Sequence, residues 1–426
     1  MQSNTGRCLT VACFFLAGLL GSPLAHGQRK KKAVDRGPAF PRIANFYGSG
    51  IQRGTLRRSR SRLDFAAKYD LLVGGVLHDA HDELKYIKAK NPDIMILKYI
   101  SVRGRRPTDK HVKPEWWLTD PWRRPVQPWP GVHLLNETNA RLNSYLVYTA
   151  KLELEKQPLF SGVFLDSFCP RISHTNKGNL DADRDGKRDD RIWLDKEWKA
   201  GILRVAQGIS QLRGGKAIVM ANGSDPLDFG TECLNGCVLE DTVVRVAQGK
   251  ADWNKVIEGY LSWFEAPRKP HVTAIVSGGG KVQDPWEWQK MPQPQRDEMA
   301  EQAKKNEQCM RFGLCAALMG DGYFAYDCCA PRRGQYWWYR EFDAPLGYPR
   351  GTSFARHDGA WQREYDSGSV VVNPTAEPIT AQFAAPRKDF TTGKTSRKFV
   401  VPPYDGRMFL LTVSQGKPKQ ITGGKP

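Results

Sequence analysis

A chain of 426 residues, 40% of them hydrophobic, is long enough to bury a barrel-sized core with a small second domain, and its composition excludes a disordered polymer. Lysine and arginine outnumber aspartate and glutamate by 64 to 45, a formal charge of +19. That charge suits an acidic glycan or an anionic surface, and no pattern of a nucleic-acid module accompanies it, so specific nucleic-acid binding is not expected.

Residues 1–27 combine Arg7, the apolar run Leu9 to Leu20 and the small residues Ala25 and Gly27, which reads as a secretory signal peptide. The apolar run is short for a bilayer and no later run reaches membrane length. The mature chain is therefore expected to be exported, periplasmic or extracellular, with no transmembrane segment. Beyond the leader, Cys169, Cys233, Cys237, Cys309, Cys315, Cys328 and Cys329 show neither paired Cys-x-x-Cys units nor neighbouring histidines, so zinc is not expected, and their odd number leaves a thiol unpaired.

A basic, loose tail over 28–41 precedes the first strand, predicted at Arg42 to Gly48. Short apolar runs bounded by turn residues predict further strands at Tyr69 to Gly75, Asp93 to Ile100, Ser161 to Phe168, Lys216 to Gly223, Gly236 to Asp241, His271 to Ser277 and Gly322 to Asp327. Helical periodicity falls between most of them, at Asp79 to Lys90, Asn136 to Glu155, Trp193 to Leu212, Asp252 to Phe264 and Gln295 to Met319. The arginine-rich stretch after the first strand reads as a polar connection. Alternation of this kind predicts an α/β fold, a (β/α)8 TIM barrel over 42–357. Four short strands from Ser369 to Val413 then predict a small antiparallel all-β C-terminal domain over 358–414, followed by a basic tail over 415–426. The stretch from Ser101 to Leu135, rich in proline and tryptophan, is long for a connection and reads as a binding loop.

Barrel strand ends share one face, and acids stand at several of them. Asp166 closes the fourth strand, Glu240 and Asp241 the sixth, and Asp327 the eighth. Glycosidic cleavage uses two carboxyl groups, one protonating the departing oxygen and one attacking the anomeric carbon or activating water. Asp166 is the expected nucleophile, Glu240 the expected general acid/base, with Asp241 its chemical equal, and Asp327 a supporting or alternative carboxylate. Tyr47, His78, Lys98, Tyr99 and Asn222, also at strand ends, are candidates for hydrogen bonds to sugar hydroxyls. A lysine inside an apolar strand must reach water or an anion, so Lys98 equally suits a structural salt bridge. Trp116, Trp117 and Trp337 are candidates for stacking on pyranose faces, the alternative being that they pack loops onto the barrel.

Asp181, Asp183, Asp185 and Asp189 occupy positions 1, 3, 5 and 9 of a loop with Gly186 at position 6, the spacing of a calcium loop. Lys187 would offer its carbonyl. Position 12 is Ile192 rather than the bidentate glutamate, leaving Asp190 as the substitute. A structural calcium that shapes the rim of the site is expected.

The motif Gly162-Val-Phe-Leu-Asp-Ser-Phe168, the Asp-x-Asp-x-Asp-Gly loop at Asp181, the strand ending in Glu240 and the stretch Phe312 to Asp327 together resemble the hypothetical glycosyl hydrolase family 15 of bacteria. Gly368 to Pro374 and Val401 to Arg407 are similar to the β domain that follows the barrel in such glycosidases. The resemblance implies a glycosidase-type barrel acting on a poly- or oligosaccharide, with Asp166 at the position of the strand-four nucleophile of several retaining families. Those families carry the acid/base on strand five or six. Here strand five ends in Asn222 without an acid, which moves the expectation to Glu240. Two other functions fit the same features: a catalytically inactive carbohydrate-binding barrel, and a basic surface protein that binds an anionic polymer.

Overall fold

The computed structural model describes residues 37–46, 51–74, 79–278, 290–327 and 337–412. Eight strands form its centre: β1 (Ala44–Asn45), β2 (Leu71–Gly74), β3 (Met95–Ser101), β4 (Gly162–Asp166), β5 (Ile218–Ser224), β6 (Gly236–Glu240), β7 (Ala274–Ser277) and β8 (Tyr323–Tyr326). They pair in chain order, all parallel, and a single parallel bridge between Ile43 and Phe324 completes the ring. This is the expected (β/α)8 barrel.

Alternation along each strand divides the apolar residues into two cores. Leu97, Phe164, Met220, Val238, Val276 and Ala325 belong to a cluster that fills the ring, whereas Ile96, Leu165, Val219, Leu239, Ile275 and Phe324 belong to the larger cluster between strands and helices. The outer layer contains α1 (Arg60–Ala66), α2 (His81–Lys90), α3 (Ala140–Lys156), α4 (Arg191–Ser210), α5 (Trp253–Ser262), α6 (Gln293–Lys305) and α7 (Glu307–Ala317).

Two expectations about helices are corrected. The arginine-rich stretch after β1 is helical, because Leu63 and Ala66, three residues apart, give α1 a buried edge while its arginines stay in water. The single helix expected over Gln295 to Met319 is two. Asn306 interrupts it and caps α7, its side chain accepting the Cys309 N–H at 3.2 Å; asparagine competes for backbone donors and prefers a cap to a helix interior.

The C-terminal sheet has six strands rather than four. They are β9 (Phe354–Ala355), β10 (Trp361–Tyr365), β11 (Gly368–Asn373), β12 (Ile379–Asp389), β13 (Thr395–Val401) and β14 (Asp405–Leu411), in the order β9-β10-β11-β14-β12-β13 and antiparallel throughout. Helix α7 joins sheet to barrel. Its Arg311 makes two 2.9 Å bonds to the buried Asp405 carboxylate, a bidentate geometry that satisfies a charge taken out of water. A Cβ on Gly406 would lie 2.3 Å from the Cys315 Cβ, so only glycine lets β14 approach α7 this closely.

Helix α4 also makes a close approach at a glycine, Gly201, against the carbonyl of Glu137 in the turn before α3. Glu137 is fully buried and accepts a 2.9 Å bond from Asn143. Burial pushes its carboxyl up to about 8, and the guanidinium groups of Arg105 and Arg204 oppose that only in part. The fold thus holds a proton that the unfolded chain releases above an ordinary value of 4.5. Stability should fall as pH rises from there, with the loss complete above about 8. Glu137→Gln keeps the shape without the titration. In urea unfolding at pH 6 and pH 9, wild type should lose about 2 kcal/mol more than the variant; equal losses would refute this account.

Candidate active site

Odd and even positions of the strands decide what reaches the barrel mouth. Tyr99 follows Leu97 on the inner face, Asp166 follows Phe164, Asn222 follows Met220 and Glu240 follows Val238. Four adjacent strands therefore deliver four polar side chains to one place. The Tyr99 hydroxyl donates to Asp166 Oδ2 at 2.5 Å. The Asn222 amide nitrogen donates to Asp166 Oδ1 at 3.0 Å and to Glu240 Oε2 at 2.8 Å. Its own Oδ1 accepts the Ser224 N–H at 2.9 Å, which turns the amide so that both of its hydrogens face the carboxylates.

One nitrogen bonded to both acids limits their separation. The two bonded oxygens lie closer than the sum of those two hydrogen bonds, near enough for both carboxyl groups to address one glycosidic bond. Both oxygens of Asp166 are engaged. Glu240, half-buried, is bonded at Oε2 alone among the described residues.

The chain leaves three of these four strands through a left-handed residue: Ser167 at φ 61°, Ser224 at φ 65° and Asp241 at φ 55°. Such a backbone costs a non-glycine residue about 1–3 kcal/mol and persists where surrounding bonds hold it. The Phe168 N–H donates to the Asn222 carbonyl at 2.6 Å, and Asp241 accepts the Gly278 N–H at 2.9 Å. Asp241 thus points along the strand ends, and Glu240 alone of that pair faces Asn222. Cys169 lies beside the acids. Burial, and after it the charges of Asp166, Asp225 and Glu240, push its thiol above the usual range against Arg103, so it stays protonated.

The other expected residues divide. Tyr99 and Asn222 are in the site, but they hold the carboxylates. Asp327 follows Ala325 on the inner face and is buried, yet it is not a partner of Asp166 or Glu240. Lys98 faces outward, 2.9 Å from Glu153 of α3; its odd-even position puts it on the helix side, so it is a structural ion pair. Trp116 is buried against Tyr145, ring centres 4.8 Å apart, and Trp117 is buried edge-on to His133. Trp337 packs on the outer core near Lys304. Trp116 and Trp117 pack as the insertion folds back on α3, whereas Trp337 follows β8 and lies outside that insertion. Tyr47 and His78 lie outside the described residues, as do Cys328 and Cys329. The five described cysteines, at 169, 233, 237, 309 and 315, are free thiols.

In the acidic loop, oxygens of Asp181, Asp183 and Asp189 all lie within 4.8 Å of one another, a group able to hold a metal ion. Asp181 is fully buried, and no ion pair among the described residues involves any of the three. Burial, and then the carboxylates of Asp183, Asp181 and Asp185, push Asp189 up to about 6 against the bond from the Ala182 N–H. Asp185 turns outward, accepting the Lys187 N–H and lying 3.6 Å from the Lys187 ammonium. Asp190 caps α4 instead of completing the loop, since its Oδ1 accepts the Ile192 and Trp193 N–H groups. The helix begins one residue later, and its exposed donors claim the carboxylate. The loop is tied to the insertion: Thr119 donates to the Asp181 carbonyl, Arg184 to the carbonyls of Pro114 and Trp117, and Asn136 to that of Ala182.

Sequence reasoning missed Arg103, two residues beyond β3, where strand parity no longer applies. It donates to Thr175 Oγ1 at 3.0 Å and interacts with Asp166 and Cys169.

The profile of the hypothetical glycosyl hydrolase family 15 matches residues 88–369, well over half of the chain. No curated protein sequence matches. Remote similarity extends to solved structures. An alpha-amylase from Geobacillus thermoleovorans, in complex with acarbose, has a TM-score of 0.49 at 11% identity over 86% of this chain and 95% of its own. Amy13B of Eubacterium rectale has 0.48 at 8% identity over 87% and 94%. The GH36 alpha-galactosidase AgaA of Geobacillus stearothermophilus has 0.45 at 11% identity over 88% and 56%.

The outward position of Lys98 makes a prediction. Lys98→Met should leave Glu153 without its partner and lower stability in urea unfolding by about 2 kcal/mol, while glycan binding stays as in wild type. Unchanged stability with weakened binding would put Lys98 back in the site.

Proposed function

The chain belongs to the hypothetical glycosyl hydrolase family 15, and from that premise we propose that it is an exported glycoside hydrolase cleaving a poly- or oligosaccharide with Asp166 and Glu240. The observation that carries this reading is the Asn222 amide bonded to both carboxylates. It holds two acids on neighbouring sides of one space, close enough to address a single glycosidic bond. Asp166, oriented on both oxygens by Tyr99 and Asn222, is suited to attack the anomeric carbon. Glu240, with one oxygen unengaged by the described residues, is suited to protonate the departing oxygen and then to take a proton from the water that releases the sugar. Asp327 would supply a third carboxylate on the same inner face.

The reading extends to the acidic loop. Three clustered carboxylates offer hard oxygen donors, which favour calcium over a softer metal. Asp181, Asp183 and Asp189 would hold the ion, and through Thr119, Arg184 and Asn136 it would brace the insertion that borders the site. Export rests on the leader at residues 1–27. Among the described residues no helix is long and apolar enough to cross a membrane.

Two measurements test this. Reducing-end release from a panel of bacterial and plant polysaccharides should fall by about a hundredfold or more in both Asp166→Asn and Glu240→Gln, with circular dichroism unchanged. Release that survives both substitutions would eliminate this pair, and binding without cleavage by wild type would favour the inactive carbohydrate-binding barrel. Separately, calcium should raise the melting temperature of wild type by several degrees, a shift that EDTA reverses and Asp181→Asn abolishes; a melting curve indifferent to calcium would remove the ion from the account.

A further inference from the structure

An open cleft of about 640 Å³ lies between the insertion and the loop that follows β4. Arg103, Gln127, Trp129, Thr175, Asn176 and Lys177 contribute to its lining, and among the described residues no acidic one does. The Arg103 guanidinium stands 5.9 Å from the centre of the half-buried Trp129 ring. It donates one bond to Thr175, its buried Nε has no hydrogen-bond partner among the described residues, and it interacts electrostatically with Asp166. One group therefore borders the cleft and acts electrostatically on the proposed nucleophile.

Further cations surround this loop. Arg103, Arg171 and Arg191 all act on His174, and the Arg188 guanidinium approaches Gly178. The acid among them, Asp195, is engaged by the loop itself, accepting the Ile172 and Ser173 N–H groups and the Ser173 hydroxyl at 2.8 Å each. Asn176 and Lys177 are both left-handed, at φ 51° and 54°. Two successive non-glycine residues in that region store strain of about 1–3 kcal/mol each, in a turn that carries Lys177 to the cleft.

An aromatic ring suits the apolar face of a sugar, and a guanidinium suits a carboxylate or sulfate. We propose that this cleft is a subsite for a sugar unit bearing an anionic group, so that the substrate is an acidic glycan bound across the cleft and the Asp166 mouth. The place of that unit in a cleavage reaction rests on the glycosidase reading; its binding does not.

The test compares the affinity of the full chain for two pairs of probes at physiological salt: tetragalacturonate with its methyl ester, and a carrageenan tetrasaccharide with its desulfated form. At least one acidic probe should bind about tenfold more tightly than its neutral counterpart, and the pair that discriminates identifies carboxylate or sulfate as the group. Lys177→Gln, an exposed change, and Trp129→Ala should each weaken that binding by about threefold or more. A double change at Arg57 and Arg58, exposed in another basic cluster, should not. Equal affinity within both pairs, no binding to any probe, or an equal loss in the Arg57 and Arg58 variant would overturn the subsite. Cleavage is scored separately. Acidic probes bound through the cleft but left whole would keep the subsite and count against the glycosidase. Neutral glycans cleaved through Asp166 with no effect of Lys177→Gln would do the reverse.

Discussion

Eight parallel strands closed into a ring leave a strand residue two directions, into the ring or onto the helices. Everything at the mouth depends on that constraint. Phe164 and Val238 fill the ring, so Asp166 and Glu240, two residues on, emerge above it. Lys98, one residue out of phase with Tyr99, meets Glu153 of α3. A slip of one residue in β3 would exchange the two and set an ammonium where a phenol now holds the carboxylate.

Asn222 converts that common direction into a common site. Two carboxylates at close range repel, and an amide with both hydrogens between them offsets the repulsion while fixing their orientation. The amide is itself held by the Ser224 N–H, available because β5 bulges at this point and Ser224 turns left-handed. Strain at three neighbouring strand ends is thus coupled to the hydrogen bonds that aim the side chains, as expected where local geometry is subordinate to a site.

The insertion after β3 behaves as a folded wall. Trp116 and Trp117 lie in its packed interior, while Trp129 borders the cleft. Its outer segment joins the acidic loop through an isolated bridge between Thr119 and Asp181. Two segments that come from different barrel strands therefore support each other on one side of the mouth. Farther along the chain, the Arg311–Asp405 pair and the close approach at Gly406 fix the C-terminal sheet against α7.

The order of elements was legible because strand and helix periods are local, and apolar runs separated by helical patterns admit few other folds. The two principal carboxylates were legible for the same reason: they end strands. Other features were written in the sequence but depended on competition that only the folded chain resolves. Whether a tryptophan packs or faces a cleft, as Trp116 and Trp129 differ, depends on what lies across from it. Asp190 could serve a loop or a helix, and the donors of α4 take it. Arg103, outside any strand, gave no periodic signal at all. The sequence by itself determined the barrel, the small β sheet after it and the acids at the strand ends, since these follow from nearest-neighbour patterns. Only the tertiary structure decided that Tyr99 and Asn222 hold the acids and that the charge of Arg103 acts on Asp166, because those interactions join residues far apart in the chain that the closed ring alone brings together.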